Sequence, residues 1–188
     1  MTYRNPAVAA PAAPSGLVPK TAGVLALLVG LCNVWGGRTL LEPFGHGPAD
    51  LDNSLAIFGG LGGLLAAFAL VYGTALMFRH DQAGRYTVLL ASGVLSAIAL
   101  VGLVCSLTGY QPDYAIDWFP EEGPIADPLT SAFGGLVGIL TAFVHRDWLA
   151  SLAGLALPLA VYLLTSSHYT EAWVEAGSGV DGWREMSG

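Results

Sequence analysis

The sequence predicts an all-α integral membrane protein with five transmembrane helices, and three observations carry that prediction. Of the 188 residues, 54% are hydrophobic and only 11% charged, whereas soluble domains carry about 25% charged residues. The apolar residues gather in runs of about 16 to 24, close to the ~20 that a helix needs to cross a hydrocarbon core of roughly 30 Å. Those runs contain no Asp, Glu, Lys, Arg or His. In hydrocarbon an unpaired backbone N–H or C=O costs several kcal/mol, so an apolar run satisfies itself as a helix. A membrane barrel would instead alternate apolar and polar residues over segments of about ten, and no such alternation is present.

Residues 1–20 read as a cytoplasmic tail, with an Ala/Pro-rich stretch over 6–16 that has no hydrophobic period and is expected to be extended. The first span covers 21–37. Lys20 before an apolar stretch resembles a secretory leader, but no small-residue cleavage site follows, so the segment reads as a signal anchor. The second and third spans cover 55–78 and 86–109, separated by a short charged turn. The fourth and fifth cover 129–144 and 148–165, with His145, Arg146 and Asp147 between them. One continuous helix there would be about 55 Å long and would bury those three groups, so two helices joined by a tight turn are expected. Residues 166–188 form an acidic tail.

Charge sets the expected orientation. One side carries Arg4, Lys20, Arg79, Arg85 and Arg146 against Asp81 and Asp147, a net +3. The other carries Arg38 and Arg184 against the remaining twelve acids, a net −10. Basic residues in short loops stay cytoplasmic, so five crossings put the N-terminus inside the cell membrane and the C-terminus outside. The lack of a basic cluster excludes a nucleic-acid partner, which would require cations to displace phosphate counterions.

Residues 58–68 align without gaps onto 133–143, with eight of eleven positions identical. A duplication would give two parallel helical hairpins around a pseudo-two-fold axis, with the first helix added at the side; an apolar, glycine-rich composition produces such matches by chance as well. In either case Gly59 and Gly63, and Gly134 and Gly138, form G-x-x-x-G spacings that expose backbone for close helix packing.

Ionisable groups inside membranes mark ion paths and proton relays, and the predicted spans hold only milder groups, of which Asn33 is the most polar. It is expected either to fix the first helix against the others or to touch a ligand headgroup. Cys32 and Cys105 each lie within a span, where a small buried hydrophobe is the expected role. His80 and His145 follow the second and fourth spans. As imidazole ligands they are the candidate haem or pigment pair, against the alternative of interfacial histidines favoured by the helix dipole. No cofactor is required by the sequence. His46 and His168 stand near acids without metal-ligand spacing, and no nucleophile elbow or phosphate-binding loop occurs in a suitable context.

The acidic segment 111–128 carries Trp118, Phe119, Glu121 and Glu122, and the tail adds Trp173 and Trp183. Acids with exposed aromatics are the pattern of a docking face for a basic extracytoplasmic partner, by steering and by aromatic anchoring. Together these features lead to the expectation of a non-catalytic accessory subunit in a larger bacterial membrane complex, of the respiratory or other energy-converting kind, contacting lipid and other membrane subunits. The alternatives are a small-solute or lipid carrier built from the two hairpins, and a haem- or quinone-linked oxidoreductase subunit.

Overall fold

The computed structural model describes residues 16–41, 54–110 and 128–185, with side chains described to residue 177 except at a few helix ends. They are helical throughout: α1 (Leu17–Leu41), α2 (Ser54–Phe78), α3 (Gln82–Thr108), α4 (Pro128–Phe133), α5 (Gly135–Val144), α6 (Trp148–Ser166) and α7 (His168–Glu185). Four of them are long and apolar enough to cross a membrane, over Leu17–Thr39, Ile57–Phe78, Gln82–Thr108 and Trp148–Ser166. The chain is therefore a helical membrane protein with four such spans among its described residues.

α1, α2 and α3 run up, down and up. Gly30 of α1 meets Val71 and Ala67 of α2, and Gly37 meets the Gly60 carbonyl. The α2–α3 turn is tight because Gly84 lets the two backbones touch: a Cβ there would stand 2.6 Å from the Gly73 carbonyl oxygen. His80 takes a left-handed φ of 59° in that turn. Asp81 then caps α3, its carboxylate accepting from the Ala83 N–H at 2.8 Å. The α5–α6 turn repeats the device, with Arg146 at φ 54° and Asp147 accepting from the N–H groups of Leu149 and Ala150. In both turns a left-handed residue reverses the chain and a carboxylate takes the orphan donors of the next helix.

α6 lies antiparallel to α3. Ser106, near the end of α3, is 3.3 Å from Ser151 at the start of α6, and Arg85, near the start of α3, donates to the Thr165 carbonyl at the end of α6. Residues 85 to 106 of one helix span about 30 Å, so these contacts define opposite ends of the bundle. Between them the core packs Ala26, Val29, Leu70, Val88, Leu95, Leu136 and Val161, with a second cluster of Ala99, Ile139 and Leu155.

The segment expected as the fourth span, 129–144, is not one helix. It breaks at Gly134–Gly135 into α4 and α5. α5 has ten residues, about 15 Å of helix, half the distance a crossing needs. Its Phe143 packs by Gly102 near the end of α3, and the turn after it leads into α6 at that same end. α4 and α5 thus form a V that dips between α1, α3 and α6 and returns to the end it came from. The consequence reaches the C-terminus. With α4 and α5 together not crossing, α6 ends beside Arg85, and α7 packs at the end of the bundle that holds the α2–α3 turn, not at the opposite end as five crossings would require.

The two aligned segments differ accordingly. Phe58-Gly-Gly-Leu61 is continuous helix within α2, while Phe133-Gly-Gly-Leu136 spans the break. Gly-Gly has little intrinsic preference, so tertiary partners decide which form each copy takes.

Candidate functional site

The break is assembled around Asn33. This side chain is fully buried in α1; its Nδ2 donates to the Val29 carbonyl at 2.8 Å, and its Oδ1 accepts from the Leu136 N–H at 2.9 Å. Leu136 lies in the first turn of α5, where backbone donors have no intrahelical acceptor. Asn33 therefore serves as an N-cap supplied by another helix. Gly135 holds φ 58°, a region open to glycine and strained for L-residues with a Cβ. A Cβ there would also lie 2.7 Å from both Cα and Cγ of Asn33. On the other side a Cβ on Gly36 would drive into the Gly134 carbonyl, and one on Gly63 would stand 3.4 Å from the Asn33 carbonyl oxygen.

Of the glycines expected to pack helices, all four are buried. Gly63 and Gly134 are brought to the same junction, Gly63 against Asn33 and Leu136 and Gly134 against Gly36. The closest backbone approach, however, belongs to Gly36, which the motif reading passed over. Its signal in the sequence is the Gly36-Gly37 pair, three residues after Asn33.

At the other end of the bundle α7 is held by a polar cluster. Arg85 is 6% exposed. Its Nε donates to the Thr165 carbonyl at 3.2 Å, and its Nη1 lies 3.2 Å from a carboxylate oxygen of the half-exposed Glu171. The His80 ring packs against Trp173 at a tilt of 40°, with centroids 4.1 Å apart, and its Nδ1 is 3.1 Å from the Trp173 carbonyl. Gly177 admits the His80 ring, since a Cβ there would run into it. Trp173 also reaches the start of α1, where a Cβ on Gly16 would be 3.1 Å from the indole nitrogen.

These contacts place the candidate ligands and anchors. His80 and His145 are at opposite ends of the bundle, so the structure does not bring them together around one macrocycle. Trp173 is an internal latch of α7. Trp118, Phe119, Glu121 and Glu122 lie outside the described residues, as does the side chain of Trp183. Among the described residues no group of three His, Cys, Asp or Glu side chains converges as a metal site. Buried hydroxyls without a partner remain at Thr74, Ser131 and Thr165, while those of Ser92, Ser96 and Thr141 bond to carbonyls of the preceding turn. No protein-family model, curated protein or solved structure matches this chain.

Proposed function

We propose that this chain is a non-catalytic accessory subunit of a larger bacterial membrane assembly, of the respiratory or other energy-converting kind. The observation that supports this reading is the use of three polar groups, Asn33, Arg85 and His80, in holding the chain's own backbone. Asn33 caps α5, Arg85 ties α3 to α6 and α7, and His80 secures α7. Meanwhile the four long helices bury only 33–44% of their apolar windows within the chain, leaving broad faces for lipid and for neighbouring helices.

In this reading the membrane is the cell membrane, and both ends of the chain are cytoplasmic. With α7 beside the α2–α3 turn, Arg4, Lys20, Arg79, Arg85 and Arg184 fall on one side and Arg38 and Arg146 on the other, and the basic-rich side is retained inside. The outer end keeps nine of the fourteen acids, eight of them in the segments 42–53 and 111–127, and with Trp118 and Phe119 these are the docking face for a basic partner. Gentle detergent extraction from native membranes, followed by native gel separation and mass spectrometry, tests the assignment. Co-migration with other membrane subunits supports it; a lone, monomeric species contradicts it.

A second reading, a small-solute or lipid carrier, draws support from the break at Gly134–Gly135, because carriers use interrupted helices near the midplane. In such sites the half-helix N-terminus faces substrate, whereas here Asn33 occupies it. Uptake into proteoliposomes above the empty-liposome background would favour the carrier.

A further inference from the structure

We propose that the groove between α1 and α4 seats an acyl chain of an anionic phospholipid whose phosphate is held by Arg38. The groove encloses about 530 Å3 and is lined by Leu31, Cys32, Val34, Trp35, Arg38 and Phe133. Leu31, Trp35 and Phe133 are 64%, 66% and 50% exposed, while Cys32, at 7%, forms the floor. The walls therefore open outward from the bundle rather than into it.

Depth gives the groove its chemistry. Arg38 lies in the last turn of α1, one residue past the apolar run 21–37 and about 25 Å along the helix from Thr21, close to the roughly 30 Å of a hydrocarbon core. The guanidinium thus stands at the level of the lipid phosphates, and Leu31 lies about 10 Å deeper. Among the described residues no carboxylate pairs with Arg38. A polar rim above an apolar trough matches an amphiphile, and a planar guanidinium matches a phosphate through paired N–H donors. The carbonyls at the end of α1 also favour a cation, and a phosphate on the outer face of the guanidinium is compatible with that. An apolar partner helix laid in the same trough would cover the guanidinium without supplying an anion.

Two further grooves among the described residues, along α3, set the contrast. One is lined from Gly62 to Leu136 and the other from Ala97 to Phe143, and neither includes a charged residue. They offer hydrocarbon contact without a means of choosing a headgroup.

The test uses the full chain purified in detergent and titrated with phosphatidylglycerol or phosphatidylcholine carrying brominated acyl chains. Trp35 quenching is read as the difference between the wild type and Trp35→Phe. The expected result is half-maximal quenching by phosphatidylglycerol at about a tenfold lower concentration, because both lipids present a phosphate but in phosphatidylcholine the choline ammonium offsets its charge and weakens the attraction to the guanidinium. Arg38→Gln should abolish that preference, and Arg146→Gln, at the same end of the bundle, should leave it intact. Because Arg38 is exposed, its replacement should leave the melting temperature of the lipid-free protein unchanged. Equal quenching by the two lipids, or a preference that survives Arg38→Gln, would overturn the proposal. So would a Trp35 shielded from both lipids by self-association, which would make a second copy the occupant.

Discussion

The carboxamide oxygen of Asn33 accepts a hydrogen bond of 2.9 Å from the backbone N–H of Leu136, 103 positions away in sequence. This one bond satisfies a helix end that lies inside the bundle, and with Gly135 it turns the expected fourth span into a V. Asn33→Leu keeps a similar volume but leaves that donor without a partner. The expected loss is about 1–3 kcal/mol of stability, read as a lower unfolding midpoint in detergent. An unchanged midpoint would mean that the Leu136 donor finds another acceptor.

Gly135→Ala should destabilise more than Gly109→Ala. Both glycines have positive φ, 58° and 67°, and each substitution carries the left-handed penalty of roughly 1–2 kcal/mol. Only at Gly135 does the new methyl meet atoms, those of Asn33 at 2.7–2.8 Å, whereas nothing lies within 4 Å of a Cβ on Gly109. Comparing the two midpoints isolates the crowding at the break, and equal losses would argue against it.

Arg85→Met and Glu171→Gln should differ in the same direction. Glu171 is half-exposed, so neutralising it removes an ion pair screened by water and worth at most about 1 kcal/mol. Removing the guanidinium also deprives the Thr165 carbonyl of its long-range donor, raising the expected cost to about 1–3 kcal/mol. Hydrogen exchange of α7 should rise clearly in Arg85→Met and only slightly in Glu171→Gln.

Trp173→Ala should release α7 without unfolding the spans. The indole fills the space between His80 and Gly16, while the crossing helices hold one another through contacts that α7 does not share. Limited proteolysis should then cut within 168–185, leaving a protected fragment that contains α1 to α6. Protection equal to the wild type would show that Arg85 and Glu171 suffice to hold α7.

The long spans were legible because hydrophobic length is a local property. Residues 55–78 and 148–165 were expected and Ser54–Phe78 and Trp148–Ser166 are found. α1 extends further at both ends than the apolar run, over Pro19 and Lys20 and out to Arg38, since helix geometry continues where hydrocarbon stops. The break at Gly134–Gly135 was illegible from its own residues, because Phe-Gly-Gly-Leu is straight helix at 58–61 and broken at 133–136. The difference is made by Asn33, distant in sequence. The available signal is length: at 16 residues, 129–144 is the shortest of the five apolar runs. α7 was hidden for a related reason: its acids and glycines read as a solvated tail, and its helix rests on contacts with Arg85 and His80 rather than on propensity. Counting 129–144 as a crossing puts the tail at the end opposite the α2–α3 turn, whereas α7 packs against His80 in that turn.

Sidedness is therefore the most direct test of the V. In a chain with Cys32 and Cys105 replaced by alanine, single cysteines are introduced at Gln82, Arg146 and Ser178 and labelled in intact cells with a membrane-impermeant maleimide. The account predicts labelling at 146 and protection at 82 and 178 until the cells are opened. Labelling at 178 with protection at 82 and 146 would mean that residues 128–144 cross the membrane, and would contradict it.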